Sequence, residues 1–373
     1  VATDQVVPGP TGGSVHVLEV ARGLGARGHE VHALVRRRAG EPEAETRDGV
    51  HWHRARWSPP HRLFRWRARP AVERLLAAAR PDVVMERYYN FGGEGVLAAA
   101  AHGLPSLLEV NSPAVDHPGS LKGALDALTL VRPLRRYRER LCREAKALVS
   151  PLPEIVPGFA RAKTHVLTWG ANVDAFHPAR RSAGLRREWG VPEPALVVLF
   201  SGSFRPWHGV HVLEEAARRL AGRPDLFFVL AGGSEVGPAR GYRGLHLGRV
   251  PYERMPEVVA SADVGVAPYD TARLRQLRLG FYWSPLKVFE YMAGGLPTVT
   301  IARGGLAQVV REGREGVHVP EADAGALARA LVALAEDRTQ VARLGAQARA
   351  RVVECYSWAR HCAQLEAVLE SIR

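Results

Sequence analysis

Long apolar runs are missing from this 373-residue chain. None reaches the roughly 18 uninterrupted residues that a bilayer-spanning helix needs, so no membrane span is expected. No basic-then-apolar leader is visible either; Val1-Ala2 reads as the tail of a first strand whose start lies upstream. Cysteine is scarce. Cys142, Cys355 and Cys362 are odd in number and lack metal-ligand spacing, which sets aside disulfide and zinc scaffolds and points to a reducing cytoplasm. No Asp-x-Asp pair or histidine cluster in the sequence calls for a metal. No Gly-x-Gly-x-x-Gly turn follows a strand and opens a helix; the loop at that place is Thr11-Gly12-Gly13-Ser14, which counts against a dinucleotide oxidoreductase. Lysine is rare as well. Only Lys122, Lys146, Lys163 and Lys287 occur among 51 basic residues, so a lysine at a candidate site stands out.

What is present fits a soluble α/β protein: 46% apolar residues and 7% aromatics. The length exceeds one compact core of usual size and predicts two domains. The net charge of +13 is uneven, since residues 51–146 hold 17 Lys/Arg against 9 Asp/Glu. Such a surplus favours an anionic partner. Its arginines lie among Trp and Pro (Trp57, Pro59-Pro60) without a recognition module, so nucleic acid is not expected; an anionic membrane surface or a phosphorylated acceptor suits it better. An Arg-rich solvated surface accounts for the surplus equally well, and Arg135–Glu139 and Arg140–Glu144 pairs give the basic helix 132–146 a structural explanation.

The order of elements is that of two doubly wound halves. After a glycine loop, Ser14 to Gly25 is periodic as a helix, and Glu30 to Val35 is a strand. Asp82 to Glu86, Ser106 to Val110, Ala147 to Ser150 and Thr164 to Leu167 are further strands, with Tyr88 to Gly93 a loop between the first two. His177 to Gly184 reads as a polar linker. Ala195 to Ser201 is a continuous apolar run, a buried parallel strand, and it enters Gly202-Ser203-Phe204-Arg205-Pro206-Trp207-His208-Gly209. Phe227 to Ala231 and Leu245 to Val250 continue the second half, and Met255 to Tyr269 reads as a helix and strand. Helices follow over 324–336, 339–352 and 358–372. Phe204, Trp207 and Tyr269 serve equally as packing or stacking residues.

The stretch from Ser284 to Pro297 is the most pointed. Ser284 suits an N-cap, Pro285 the first helical position, and Gly294-Gly295 with Pro297 the stop, before a buried strand at Thr298 to Ile301. A helix opening this way offers free N–H groups and a positive dipole end to a phosphate. Lys287 in the first turn and Glu290 one turn on would complete a clamp for a diphosphate and a ribose diol. An ordinary capped helix with one exposed Lys and one exposed Glu fits the same spacing.

With Pro268-Tyr269 upstream and Gly304-Gly305 downstream, this stretch resembles the donor-site signature of the family 4 (group 1) retaining glycosyltransferases. The resemblance spans nearly the whole chain and is densest over 195–310. It implies the GT-B fold: two Rossmann-like, doubly wound parallel-sheet domains facing across a cleft. It places an acceptor-side domain at 1–177, with a last helix 358–373 crossing back onto it, and a donor domain at 185–355. It implies transfer of a sugar from a nucleotide-sugar (UDP or GDP type) without cofactor or metal, to a glycan, lipid-linked or small-molecule acceptor. Attack from the leaving-group face, with a phosphate oxygen taking the acceptor's proton, is the implied route.

Carried over residue by residue, the resemblance gives Arg205 and Lys287 to the diphosphate, with His208 at the usual place of a second cation. Glu290 matches the ribose-binding Glu of a Glu-x7-Glu pair, but Tyr282 stands where the first Glu belongs. Asn111 stands where many relatives have a His near the donor sugar, and His117 lies six residues on. Gly12, Gly13 and Gly202 allow close backbone approach, Arg249-Val250 would hold the base, and Pro285-Leu286 begin the phosphate-binding helix. Tyr282 and Trp283 end a polar-aromatic loop on the sugar or acceptor side. These departures leave open a catalytically silent sugar-nucleotide-binding subunit. The expected setting is cytoplasmic, with peripheral contact to the inner membrane face through residues 51–146.

Overall fold

The computed structural model describes residues 1–9, 11–56, 65–88, 92–117, 119–129, 131–282 and 284–373. Trp57 and Pro59-Pro60, the Tyr89-Asn90-Phe91 part of the loop after the second strand, and Trp283 lie outside the described residues. The chain divides into two units, one of residues 1–169, 282–284 and 358–373, the other of residues 170–281 and 285–357.

The first unit holds β1 (Val31–Arg36), β2 (Ala44–Arg47), β3 (Val50–Ala55), β4 (Val84–Tyr88), β5 (Ser106–Val110), β6 (Ala147–Ser150) and β7 (Thr164–Val166). They form ladders β1-β3-β2 and β4-β5-β6-β7, parallel throughout except for β2. Val1-Ala2 joins the two: the Ala2 N–H donates to the Leu34 carbonyl at 2.9 Å and the Arg87 N–H to the Val1 carbonyl at 3.0 Å. β2 and β3 lie outside the strands that the sequence predicts. Their turn is Asp48-Gly49, with φ of 56° and 72°, the two-residue left-handed turn that suits the twist of a hairpin.

Helix Gly12–Ala26 packs Leu18 and Ala21 on Val35, Val50 and Trp52. It starts two residues earlier than the apolar periodicity suggests, because the Thr11 side chain accepts from the Ser14 N–H and caps it. Gly12 and Gly13 are thus first-turn helical residues and not a loop. The last helix, Trp358–Ile372, lies against Gly12–Ala26: Cys362 fills the space beside Gly23, and Arg27 and His29 both pair with Glu366.

The second unit holds β8 (Leu196–Ser201), β9 (Leu226–Ala231), β10 (Val236–Pro238), β11 (Gly244–Gly248), β12 (Val264–Ala267), β13 (Thr298–Ile301) and β14 (Gly316–Val319) in the order β10-β11-β9-β8-β12-β13-β14. Only β10 is antiparallel. From β8 the chain builds outward through β9 and β11, then returns to the other side of β8 as β12. Such a reversal leaves a crevice at the carboxyl ends of the two central strands, where open α/β sheets bind ligands. Residues 177–184 include a turn and the start of a helix. Pro178–Arg180 is a 3-10 turn, Ala183–Glu188 is a helix, and Arg181 and Arg186 clasp Asp263 at 2.7 and 3.0 Å.

Candidate functional site

The helix at the reversal point spans Leu286–Ala293, and Pro285 is its N-cap (φ −80°, ψ 82°) with no side-chain cap. Ser284 does not cap it, because its hydroxyl accepts the Trp169 N–H at 3.2 Å. The Leu286 and Lys287 amides, at the first two helical positions, therefore lie outside the helical ladder and have no side-chain cap among the described residues. Gly294 and Gly295 (φ 77°) end the helix, as the spacing predicts.

Residues 287 and 291 share the helix face turned toward β8. The Tyr291 hydroxyl accepts the Ser201 N–H at 2.6 Å and fixes the end of that strand. One turn earlier, the Lys287 ammonium lies 4.1 Å from the Phe200 ring centroid and 5.6 Å from that of Tyr269. It is 9% exposed, and its Nζ has no hydrogen-bond partner among the described residues. The alternative of one exposed Lys and one exposed Glu is overturned: Lys287 and Glu290 are both buried. Burial pushes the Lys287 pKa down to about 7, and the Glu290 charge only partly opposes this.

Gly202 completes the cradle. Its φ is 145°, and a Cβ there would come within 2.7 Å of Lys287 Nζ. A Cβ on Gly232 would run into the Gly202 carbonyl, and the Gly232 N–H donates to the Gly248 carbonyl at 2.6 Å. The carboxyl ends of β8, β9 and β11 thus meet at glycines, leaving backbone in place of side chains. His208 is buried beside Lys287; desolvation, then the charges of Lys287 and Arg205, hold its pKa down to about 2. Neutral at working pH, it cannot replace a lysine's charge. Arg205 is exposed and precedes the Pro206–His208 turn, while Arg249 is exposed and Val250 half-buried just past β11. One corner of the sheet therefore gathers Gly202, Arg205, Lys287 and Glu290 with the helix start at Pro285-Leu286.

Residues 195–337 match the family model described as glycosyl transferases group 1, and residues 11–163 that of a glycosyl transferase 4-like domain. The D-inositol 3-phosphate glycosyltransferase of Streptomyces scabiei is 30% identical over 392 residues, covering 94% of this chain and 84% of that protein. This chain belongs to the group 1 glycosyltransferases. The namesake enzyme of Streptomyces avermitilis is 29% identical, covering 94% and 81%. Among solved structures, sucrose-phosphate synthase from Thermosynechococcus elongatus superposes with a TM-score of 0.72 at 20% identity, over 97% of this chain and 93% of that one. HepE of Anabaena in complex with UDP-glucose gives 0.70 at 17% identity, over 99% and 98%. The fold of this glycosyltransferase is GT-B, and it is an enzyme of that class.

Its remaining candidates lie in the first unit. Gly12 and Gly13 open the first helix, where a Cβ on Gly13 would meet the Gln5 side chain at 2.7 Å. Asn111 leaves the carboxyl end of β5, 8% exposed, with no partner for its Nδ2 among the described residues. Tyr282 is 1% exposed, and His117 is half-buried at the edge of a cavity of about 510 Å³ that Asp126 and Arg132 also line. Sequence reading missed a buried group beside Asn111. His16 Nε2 lies 2.8 Å from Glu109 Oε1, and the His16 ring stacks on Trp169 at 4.4 Å. Although burial opposes ionisation, His16 holds the Glu109 pKa down to about 2. Burial lowers that of neighbouring His361 to about 4, and the His361 Nδ1 meets the Thr168 carbonyl at 2.8 Å. An acidic residue inside the apolar run Leu107-Leu108-Glu109-Val110 was the signal available.

Proposed function

We propose that the chain is a retaining glycosyltransferase whose nucleotide-sugar donor seats its diphosphate over Gly202, at the mouth of helix Leu286–Ala293. The observation that carries this is the buried Lys287 ammonium without a hydrogen-bonding partner, which a dianion would satisfy. Arg205 and the Leu286 and Lys287 amides add to it, so the departing charge is neutralised by the protein and needs no metal. Each such contact contributes about 2–4 kcal/mol to the transition state. Glu290 holds the ribose, and Arg249-Val250 the base. The second unit is then the donor side and the first the acceptor side, with Asn111, Gly12-Gly13, His117 and Tyr282 near the sugar or acceptor. Attack on the leaving-group face, the acceptor's proton passing to a phosphate oxygen, keeps the anomeric configuration. Solved neighbours of the same fold hold UDP, UDP-glucose and ADP, which supports a nucleotide donor.

For the acceptor, a lipid-linked one at an anionic membrane surface is favoured. Among the described residues no helix is long and apolar enough to cross a membrane. Helix Leu121–Ala127 nevertheless exposes Leu121 (79%) and Leu125, and Leu128 (84%) continues the same stripe. Exposed Arg135, Arg136, Arg140 and Arg143 follow on helix Pro133–Glu144. An apolar stripe bordered by cations suits the headgroup region of a bilayer. Arg138 is a structural exception: it is buried, donates to the Ala114 carbonyl at 3.1 Å and pairs with Asp116. The relatives' name favours a second acceptor, a free phosphorylated polyol.

Calorimetry with UDP, GDP and ADP, then transfer from the matching sugar nucleotides to lipid-phosphate and polyol-phosphate acceptors, tests the reading. Retained anomeric configuration in the product supports it. Nucleotide binding with no transfer to any acceptor would instead favour a silent subunit, as Tyr282 and Asn111 allow. No nucleotide binding at all would sink both.

A further inference from the structure

We propose that Glu30, His32 and His51 form a binding site for a divalent transition-metal ion of the zinc class on the amino-terminal sheet, separate from the donor site. The strand register builds it. β1 and β3 run parallel with His32 opposite His51, and Glu30 immediately precedes β1. Period two places His53 on the same face as His51, while Val50 and Trp52 point into the core behind it. Further along this face, Leu34 is covered by Val72 and Leu76 of helix Arg69–Ala79. The histidine end stays open: the His51 and Glu30 side chains are 40% and 74% exposed.

One donor atom from each of the three residues lies within 4.8 Å of the others. His32 Nε2 is 2.9 Å and His51 Nε2 4.0 Å from Glu30 Oε1. Tetrahedral zinc with bonds of about 2.0–2.2 Å wants donor atoms about 3.3–3.6 Å apart, a spacing inside this spread.

The other ring nitrogens set the tautomers. His32 Nδ1 lies 3.0 Å from His53 Nε2, and His51 Nδ1 lies 3.0 Å from Thr46 Oγ1. When each Nδ1–H donates to that partner, both Nε2 lone pairs turn toward the Glu30 carboxylate. Two lone pairs and a carboxylate in one place offer three ligand atoms to one cation. His32 stacks on His51 at 4.7 Å and on His53 at 5.3 Å, so the three rings hold one another in place. A metal satisfies all three donors with both imidazoles neutral and leaves a fourth position to water.

Competition for Zn2+ between the full chain and a chromophoric chelator tests the site. One equivalent is expected to bind, with X-ray absorption showing nitrogen and oxygen neighbours. His32→Gln, His51→Gln and Glu30→Gln are each expected to weaken binding at least a hundredfold, and His53→Gln, which removes only a hydrogen-bonding partner, about tenfold. Glu30 is exposed, so its variant tests the site without disturbing the core. His102→Gln, at an exposed histidine 2.6 Å from Glu73, is expected to change nothing. Absent binding, unchanged affinity in the three ligand variants, equal loss in His102→Gln, or a sulfur neighbour in the spectrum would each overturn the proposal.

Discussion

Donor binding is expected to take up a proton, and Lys287 sets the amount. In the free enzyme burial lowers its pKa from 10.5 to about 7, so half of the molecules at neutral pH carry an uncharged amine beside Gly202. A bound diphosphate favours the ammonium and returns the pKa toward its ordinary value. Binding at pH 7 then takes up about half a proton, rising to about 0.9 at pH 8. Donor affinity is full below pH 6 and is lost as pH rises through 7, by about a hundredfold between pH 6 and 9. A sugar nucleotide is the right probe, since its diphosphate has no terminal phosphate to titrate in this range. Calorimetry in buffers of different ionisation enthalpy reads the proton uptake directly. Lys287→Arg, whose guanidinium stays charged, should flatten the pH dependence even where its planar fork fits less well. Affinity constant from pH 6 to 9, with no proton uptake, would refute both the burial argument and the placement of the diphosphate.

Holding a buried lysine costs the free protein stability: with its folded pKa below the unfolded one, stability rises with pH between about 7 and 10.5, and the burden near pH 7 is at most about 4 kcal/mol. Lys287→Met is therefore expected to recover at least about 1 kcal/mol, raising the melting midpoint about 2–4 °C while donor binding is lost; a lower midpoint would contradict this. Gly202→Ala, at φ 145° with its Cβ 2.7 Å from Lys287 Nζ, should cut donor turnover at least tenfold with the fold intact by circular dichroism. Glu290→Ala should raise the donor's KM about tenfold with little change in kcat, since a ribose contact is shared by ground and transition states; unchanged KM would remove Glu290 from the site. Co-sedimentation with phosphatidylglycerol vesicles should fall in Leu121→Glu/Leu128→Glu and with added salt, and binding insensitive to both would reject the membrane surface.

Much of the second unit was legible in the sequence because its signals are local. A continuous apolar run is a buried parallel strand, and Gly-Gly before Pro stops a helix, whatever the rest of the chain does. The helix carrying Lys287 and Glu290 was placed to within a residue at its start. That residue mattered: Ser284 was read as the cap because serines usually are, but its hydroxyl is taken by the Trp169 amide, 115 positions away. In the first unit, the alternation of His51, Trp52 and His53 after the Asp48-Gly49 turn is the local signal of the hairpin. No motif marks His32 and His51 either, because they meet only through the pairing of β1 with β3.

The sequence by itself determined the α/β class, through its apolar strands, amphipathic helices and missing dinucleotide fingerprint; the Ser-Pro-x-Lys-x-x-Glu stretch pointed further only through its resemblance to a known family. Tertiary structure alone decided the electrostatics. Whether Lys287 is an exposed surface cation or a desolvated one with a pKa near neutrality depends on Phe200, Gly202, His208 and Tyr269 closing around it. Spacing along the chain fixes which side chains share a helix face. The loss of water around a charge is fixed by neighbours from distant strands, and no local pattern encodes that.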